Sequence, residues 1–367
     1  MNINWFSARR IGVDLASSTE IGLCRGLERA GNNVHLISPG MKNSEGITKH
    51  TVVEQSRFRG LQTISLGREI NKLIIEEDEC ITRADVCIVD WRLVPSLWKG
   101  LKKMGDNWFI IDRGPPVYSG FLTELQKIQW KRAWKLANEY AKAGFVVSRK
   151  HEEFVRKRVE TELQIIDLPA GIDISHFKGE SKIPGDELVL IYSGRIDANR
   201  GISQMLKLRN YSEKIGKVIS IRIMGEGNDV EEIRRVSEID NSVVYLGKLS
   251  REDVVKELEK SHVGILPMPE TPVWRTSSPL KLVEYIAAGL LVIGPKHSGN
   301  SITGNHNWEL LSENDEWVEE CCDMINSVLS RNKWGDYSME ARGFAKSHEW
   351  SKIAKKMEEA IINSLES

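Results

Sequence analysis

Short apolar runs alternate with stretches of helical periodicity along most of the chain. The runs are rich in Val, Ile and Leu, which is typical of strands buried on both faces of a parallel sheet. Amphipathic helices between the runs would cover both faces, so the pattern predicts an α/β protein with doubly wound sheets. The predicted strands are residues 33–38, 86–90, 108–112, 144–148, 188–194, 220–225, 243–247, 263–268 and 290–294.

The segment from Leu168 to Glu187 interrupts this alternation, because it is rich in Gly, Pro and charged residues and is followed by a new strand. A chain of 367 residues exceeds what one hydrophobic core usually organises. We therefore predict two Rossmann-like domains, residues 1–170 and 171–347, which face each other across a cleft. Ligands of such sheets bind at the carboxyl ends of strands, so residues that directly follow strands are the candidates for chemistry.

The composition is that of a globular protein, with 41% hydrophobic and 28% charged residues. The formal net charge of -1 provides no global field for nucleic acid, and no apolar run approaches the roughly 20 residues of a membrane-spanning helix. The N-terminus lacks the apolar core of a signal peptide. The cysteines show no metal-ligand spacing and are expected to be free thiols in the cytoplasm; they are Cys24, Cys80, Cys87, Cys321 and Cys322.

The segment from Ser277 to Gly294 places two serines, a proline and a lysine ahead of an apolar helix and strand. Pro279 suits a first helical turn, and the free N–H groups of such a turn attract an anion. Lys281 and Glu284 are three residues apart and lie on neighbouring parts of one turn. They form either a solvated ion pair or a ligand site, with Lys281 near phosphates and Glu284 near a ribose diol.

Two other loops of the second half follow predicted strands. The first carries three candidate residues, Gly194, Arg195 and Arg200. Two guanidiniums at a strand end make a clamp for a diphosphate, although surface arginines would show the same pattern. The second loop is a Gly-X-Gly turn, which lets a backbone approach a nucleotide or simply reverses the chain. It consists of Gly225, Glu226 and Gly227.

The first half offers two candidate elements of the same kind. Ser17, Ser18 and Thr19 are suitable N-cap residues for the helix that follows them. Their loop either caps the helix alone or also meets a phosphate at the helix N-terminus. Asp112 and Arg113 end a predicted strand, where they form either a structural ion pair or part of a ligand site.

The order of these signatures resembles the GT-B glycosyltransferases, and within them glycosyltransferase family 4. The matching segments run in family order from Leu168 to about Ala288, and they read LPAGIDISHF, YSGRIDANRGI, IMGEG, VVYLGKLSREDVVKELEKSHVGILPM and SPLKLVEYIAAG. Residues 348–361, HEWSKIAKKMEEAI, resemble the closing helix of that family. The resemblance implies that residues 348–367 pack back on the first domain.

The resemblance implies a retaining, metal-independent transferase that moves a sugar from a nucleoside-diphosphate sugar to an acceptor on the first domain. Arg195 and Arg200 would bind the diphosphate, and Glu284 would bind the ribose. Positive side chains and helix dipoles, without a metal ion, would neutralise the departing diphosphate. The phosphate-binding backbone would belong to the segment made of Ser277, Ser278, Pro279, Leu280 and Lys281.

Three positions differ from the family pattern. Thr276 stands where the first glutamate of the family's glutamate pair is expected, so its hydroxyl and those of the next two serines would contact the sugar. Ser17 and Ser18 replace a glycine-rich loop. Asp112 follows the central strand of the first domain, and there it would position or deprotonate the acceptor.

The helix predicted over residues 123–142 bears on the acceptor. It places Lys127, Lys131 and Lys135 on one stripe, with Trp130 and other aromatic residues nearby. Such a stripe is either a solvated face or a surface for an anionic membrane. The membrane interpretation would suit a lipid-linked or cell-envelope glycan acceptor and a peripheral position at the inner face of the membrane.

Two other classes of function remain open from the sequence. The departures at Thr276 and at Ser17 and Ser18 are compatible with a non-catalytic protein of the same fold that binds a nucleotide sugar or scaffolds a partner. A nucleotide-sugar epimerase also shares this fold, and fold alone does not decide between these activities. Arg195, Arg200, Lys281 and Glu284 favour the transferase.

Overall fold

A computed structural model divides the chain into two compact units. Unit 1 comprises Met1–Gly171 and Trp350–Ser367, and unit 2 comprises Ile172–Glu349. The predicted junctions, 170/171 and 347/348, differ from these by one and two residues. Cys80 lies outside the described residues, which are 1–14, 17–41, 47–58, 60–76, 81, 84–116, 121–179 and 183–366.

Unit 1 is built on a seven-stranded sheet in the order β3-β2-β1-β4-β5-β6-β7, in which every pairing is parallel. The strands are β1 (Asn2–Phe6), β2 (Asn33–Ser38), β3 (Lys49–Val52), β4 (Val86–Asp90), β5 (Trp108–Ile111), β6 (Ala143–Val146) and β7 (Ile165–Asp167). The helices are α1 (Ser17–Arg29), α2 (Gln62–Ile75), α3 (Val94–Met104), α4 (Phe121–Tyr140) and α5 (Arg149–Val159). The strand order reverses between β1 and β4, and such switch points bind ligands at the carboxyl ends of the strands.

Unit 2 has a six-stranded parallel sheet in the order β10-β9-β8-β11-β12-β13. Its strands are β8 (Glu187–Ser193), β9 (Val218–Met224), β10 (Val243–Gly247), β11 (Val263–Ile265), β12 (Leu291–Pro295) and β13 (Glu309–Ser312). Its helices are α6 (Ile202–Leu206), α7 (Ser212–Ile215), α8 (Val230–Ile239), α9 (Arg251–Glu259), α10 (Pro272–Arg275), α11 (Leu280–Ala287), α12 (Trp317–Ser330) and α13 (Trp334–Ala345). Its switch point lies between β8 and β11.

The chain returns to unit 1 through its last helix, α14 (Trp350–Glu366), which packs on α1. Gly22 and Gly26 let the two helices approach. A Cβ added at Gly22 would lie 2.4 Å from the Trp350 ring, and one added at Gly26 would lie 2.5 Å from the Ala354 Cβ. Among the described residues, no helix is both long and apolar enough to cross a bilayer.

Four strands were not among those predicted, and they are β1, β3, β7 and β13. In β1 the asparagines Asn2 and Asn4 interrupt the apolar run. Asn4 is nevertheless buried, and its side-chain amide donates to the Ile81 carbonyl at 2.5 Å. A polar residue can be buried when it has a hydrogen-bond partner, so β1 lies in the core without a continuous apolar sequence. A hydrophobicity pattern therefore does not predict this strand.

Candidate functional site

Two loops of unit 2 that follow the neighbouring strands β8 and β9 are joined by hydrogen bonds beside the switch point. The Gly194 N–H donates to the Met224 carbonyl at 3.0 Å, and the Ile196 N–H donates to the Glu226 carbonyl at 2.9 Å. The loop after β8 and the turn after β9 therefore form one surface. Both candidate arginines belong to the loop after β8 and are therefore part of this surface.

The two glycines of the Gly-X-Gly turn are required by this packing. A Cβ at Gly225 would lie 1.8 Å from the Gly194 carbonyl oxygen, and one at Gly227 would lie 2.0 Å from the Ile196 oxygen. Gly225 also has a φ of +138°, which disfavours any other residue. The exposed Glu226 carboxylate lies 3.3 Å from the Lys248 ammonium. The turn thus holds the neighbouring loop in place.

The two candidate arginines meet at Asp197. The Arg195 Nε donates to the Asp197 carboxylate at 2.8 Å, and the Arg200 Nε lies 3.8 Å from the same group. The Arg200 guanidinium also stacks on the Trp274 ring at 4.7 Å. Its buried Nε has no hydrogen-bond partner within the described part of the chain. Arg200 is therefore fixed in orientation and still able to bind an anion.

Lys281 lies against the same glycine loop. Its Nζ donates to the Tyr192 hydroxyl at 3.3 Å and lies 4.4 Å above the Tyr192 ring. A Cβ at Gly194 would lie only 2.8 Å from this Nζ, so glycine makes room for the amine. Burial and repulsion from Arg200 lower the pKa of Lys281 to about 7. An approaching phosphate would favour the charged form.

Glu284 lies one turn further along α11 and is partly buried. Burial raises its pKa to about 7, against the attraction of Arg251 and Lys281. A solvated ion pair would leave the pKa of the lysine at or above its ordinary value and that of the glutamate at or below it. Both shifts run the other way, and the Lys281 Nζ contacts the Tyr192 hydroxyl, so the structure favours the ligand-site interpretation.

The structure corrects the expectation that the hydroxyls near Thr276 contact a sugar. Thr276 is buried, and its hydroxyl donates to the Pro272 carbonyl at 3.3 Å. The Ser277 hydroxyl donates to the Trp274 carbonyl at 2.7 Å. The physical reason is that the short helix α10 ends here and its last carbonyls need donors. Pro279 occupies the N-cap of α11, one position before the first turn.

The prediction for Asp112 is also wrong. Its side chain is fully buried in unit 1, where Oδ2 accepts from the indoles of Trp130 at 2.6 Å and Trp134 at 3.1 Å. His151 Nε2 lies 3.2 Å from the same oxygen, and the Gly114 N–H donates to Oδ1. Burial alone would raise the pKa of Asp112, but these partners lower it. Asp112 holds the core together and does not face a ligand, and Trp130 and Trp134 are unavailable to a membrane.

The N-terminus of α1 is tied to the end of β1. Ser18 and Thr19 lie in the first turn and are partly exposed, whereas Ser17 is buried. The Ser7 hydroxyl donates to the buried Glu20 carboxylate at 2.5 Å. Burial raises the pKa of Glu20. The structure therefore places the candidate loop of unit 1 beside polar residues that follow β1.

Several side chains that shape the site in unit 2 are not apparent from the sequence. The Tyr285 hydroxyl accepts from the Ser193 N–H at 3.0 Å and so fixes the end of β8. The buried His297 Nε2 lies 2.9 Å from the Met268 carbonyl oxygen, just after β11. Tyrosines inside apolar runs look like ordinary core residues, so the sequence does not mark Tyr285 as part of the site.

Two Rossmann-like units in one chain are the architecture of the GT-B fold. The family model described as Glycosyl transferases group 1 matches residues 173–362, which is more than half of the chain. The chain belongs to that family and is a glycosyltransferase. A comparison with curated proteins found no match.

Solved structures share the fold over the whole chain at low identity. Sucrose-phosphate synthase from Thermosynechococcus elongatus aligns with a TM-score of 0.77 at 14% identity and covers 99% of both chains. The catalytic domain of starch synthase IV from Arabidopsis thaliana, bound to ADP and acarbose, gives 0.75 at 12% identity over 100% of this chain and 99% of that one. Anabaena HepE in complex with UDP gives 0.69 at 13%, over 99% and 100%.

Proposed function

We propose that the chain transfers a sugar from a nucleoside-diphosphate sugar bound by unit 2, with retention of configuration and without a metal ion. The observation that carries the proposal is the placement of Lys281 beside Gly194, with Arg200 in the same loop after β8 and close enough to act on the charge of Lys281. Both cations lie at the switch point of the sheet, and Glu284 is one turn away on the same helix. This spacing suits a diphosphate followed by a ribose.

The leaving diphosphate would gain negative charge as the bond between the anomeric carbon and its phosphate oxygen breaks. Arg195, Arg200 and Lys281 would stabilise that charge, and their field is strong because two of them are poorly solvated. An acceptor hydroxyl would attack the anomeric carbon from the face that the phosphate leaves. Its proton would pass to the departing phosphate oxygen, which balances the exchange of one C–O bond for another.

The ligands of the structural neighbours agree with this donor class. Starch synthase IV was solved with ADP, and Anabaena HepE was solved with UDP and with UDP-glucose. The base and the sugar of the donor differ among these proteins. We therefore infer that this chain binds a nucleoside diphosphate, which is what these ligands share. The binding experiment below identifies the base.

Titration calorimetry with UDP, GDP and ADP in the presence of EDTA tests the donor site. We expect one nucleotide to bind, and Lys281→Met and Glu284→Gln to weaken it by roughly 10- to 100-fold, as loss of a charged hydrogen bond does. Lys260→Met is the matched control, because Lys260 is an exposed residue that pairs with Glu257. Unchanged binding in both site variants, or a requirement for a divalent ion, would contradict the proposal. An inverted anomer in the NMR spectrum of the product would contradict retention.

We also propose that α4 brings the chain to an anionic membrane surface that carries a lipid-linked acceptor. Lys131, Arg132 and Lys135 are exposed on this helix, and Leu125 and Ile128 are 46% and 61% exposed. Cations beside exposed apolar side chains are typical of an interfacial helix.

Flotation with vesicles of anionic and of neutral lipid tests this contact. The double variant Lys131→Glu and Lys135→Glu should lose binding to anionic vesicles, while Lys352→Glu on the exposed face of α14 should keep it. The proposal fails if the parent protein floats with neither vesicle.

A further inference from the structure

Unit 1 has a cluster of guanidiniums at its own switch point. Arg9 comes after β1, Arg92 comes after β4, and Arg113 comes after β5. These three strands are direct neighbours in the sheet, and their carboxyl ends lie at one edge. The cluster is separate from the nucleotide site proposed above, which belongs to unit 2.

Arg92 and Arg113 are anchored by hydrogen bonds, and Arg9 and Arg113 each keep a donor without a partner. Arg92 makes a two-pronged contact with the Asp90 carboxylate, in which its Nε donates at 2.9 Å. Arg113 donates from one terminal nitrogen to the Leu168 carbonyl at 2.6 Å. The buried Nε atoms of Arg9 and Arg113 have no hydrogen-bond partner in the residues that the structure covers. A buried donor without a partner is costly, so an added acceptor would be favourable.

The carboxylates nearby pair with Arg92 but do not accept a hydrogen bond from the Nε of Arg9 or Arg113. Asp112 is occupied by two indoles and His151, and Asp90 is occupied by Arg92. Glu20 lies 3.7 Å from the Arg9 Nε, and burial raises its pKa, which favours its neutral form. The described carboxylates therefore leave the Nε atoms of Arg9 and Arg113 without a hydrogen-bond acceptor.

The arginines also repel one another. Burial and the charge of Arg92 lower the pKa of Arg9, and burial and the charge of Arg9 lower the pKa of Arg113 to about 10. The side chains of Arg9 and Arg92 keep 22% and 28% of their surface exposed, so a ligand can reach them. An anion bound among three such groups would relieve the repulsion and satisfy the unused donors.

We propose that unit 1 binds a phosphate group of the acceptor substrate through Arg9, Arg92 and Arg113. Guanidiniums present paired N–H donors that match phosphate oxygens, and the N-terminus of the 13-residue helix α1 lies beside the cluster through the Ser7–Glu20 bond. The phosphate is not consumed, and it anchors the acceptor while a hydroxyl elsewhere on the molecule reacts. The assignment of the ligand as acceptor rests on the proposed function, whereas phosphate binding itself does not.

Hydrogen exchange on the full chain, with three matched hexoses, tests the site. The probes are glucose 6-phosphate, glucuronate and glucose, which differ in carrying a phosphate, a carboxylate or neither. We expect glucose 6-phosphate to slow exchange in the peptides that follow β1, β4 and β5, with the other two having at least tenfold weaker effects. Equal protection by glucuronate would overturn the assignment of phosphate, and absence of protection in these peptides would overturn the site.

Variants of the cluster give the second readout. Arg9→Gln should weaken the apparent affinity for glucose 6-phosphate at least tenfold, while Arg68→Gln, an exposed change on α2, should leave it unaltered. Arg9→Lys keeps the positive charge but removes the paired N–H donors of the guanidinium. Its affinity for glucose 6-phosphate should therefore lie between those of the parent and of Arg9→Gln. It replaces Arg9→Gln in the test if that variant does not fold. Equal affinity in the parent, Arg9→Gln and Arg9→Lys would overturn the proposal.

The same experiment separates this proposal from the function proposed for unit 2. Repeating it with the nucleotide that calorimetry identifies occupies the diphosphate site, so protection that persists in unit 1 belongs to the arginine cluster. Nucleotide binding without protection of unit 1 would reject only the phosphate anchor. Protection of unit 1 without any nucleotide binding would reject only the donor site.

Discussion

At the scale of single residues, the site in unit 2 holds two ionisable groups where water cannot fully solvate their charges. Lys281 and Glu284 each have a pKa of about 7, the lysine lowered and the glutamate raised, chiefly by burial. Such shifts cost folding free energy and are concentrated at functional sites. A diphosphate near Lys281 and a ribose diol near Glu284 would favour the charged forms of both groups.

Glu284 should make the free protein less stable as the pH rises. Its folded pKa is raised from 4.5 to about 7, so the folded state binds the proton more tightly than the unfolded state between these values. Its contribution to the free energy of unfolding is therefore lost as the pH rises through that window. Glu284→Gln should be more stable than the parent by roughly 1–2 kcal/mol at pH 8, and by less at pH 5. Urea denaturation at the two pH values measures the difference.

A surface carboxylate provides the control for this effect. Glu238→Gln, on the exposed side of α8, should change stability equally at both pH values. A difference between Glu284→Gln and the parent that does not depend on pH would show that the raised pKa is not the cause. Lys281 acts in the opposite sense above pH 7, because the unfolded chain then binds more protons and stability rises with pH.

Position relative to a strand end is the argument that predicted Arg200, Lys281 and Glu284 from the sequence, because the ends of apolar runs are visible in it. Asp112 has the same kind of position, and the same argument failed there. Its partners Trp130 and Trp134 lie 18 and 22 residues away, and they become neighbours only when α4 packs on the sheet. A strand-end carboxylate therefore needs its tertiary partners before it can be assigned to a ligand or to the core.

At the scale of elements, the helix pair α1 and α14 depends on two small residues. Gly26 lies so close to α14 that an added Cβ would meet the Ala354 Cβ at 2.5 Å and the Trp350 carbonyl oxygen at 2.8 Å. The backbone of Gly26 is helical, so the glycine is needed for space and not for an unusual φ. Close contact of the two helices is what attaches the C-terminal segment to unit 1.

Gly26→Val should therefore separate α1 from α14 and destabilise unit 1 by about 1–3 kcal/mol, the usual cost of overpacking. Gly343→Ala in α13 is the matched control, because a Cβ there meets nothing within 4 Å. The control should be neutral or stabilising by about 0.5–1 kcal/mol, as Ala is the better helix former. Chemical denaturation followed by tryptophan fluorescence measures both, and a Gly26→Val protein as stable as the parent would contradict the packing argument.

Strands with continuous apolar sequence were predictable, and those with polar interruptions were not. β4 is buried at all five positions, and its sequence shows an apolar run from Val86. β3 is an edge strand of its sheet, and its residues are exposed or half-buried. Its sequence, KHTV, therefore contains no apolar run that would predict a strand. An edge strand is fixed by hydrogen bonds to its neighbour, and a hydrophobicity pattern does not report those.

At the scale of the whole molecule, each unit has a hydrophobic core of its own. The core of unit 2 includes Tyr192, Ile221 and Trp334, and the core of unit 1 includes Trp108, Trp130 and Ile110; none of the residues that the structure describes belongs to both. The chain enters unit 2 at Ile172 and leaves it at Glu349, so unit 2 is one continuous segment. Units with separate cores are expected to respond separately to a local change in stability.

Hydrogen exchange of the full chain should resolve these two responses. A nucleoside diphosphate at 100 times its dissociation constant stabilises the fold that binds it by about 2.7 kcal/mol, which slows exchange from globally protected amides about 100-fold. We expect this slowing in β8 and β9 of unit 2 and little change in β4 and β5 of unit 1. Gly26→Val should do the reverse, with faster exchange in α1, β4 and β5 and unchanged exchange in β8. If either change moved the protection of both units equally, the chain would unfold as one cooperative body, and the stabilities of the two cores could not be separated.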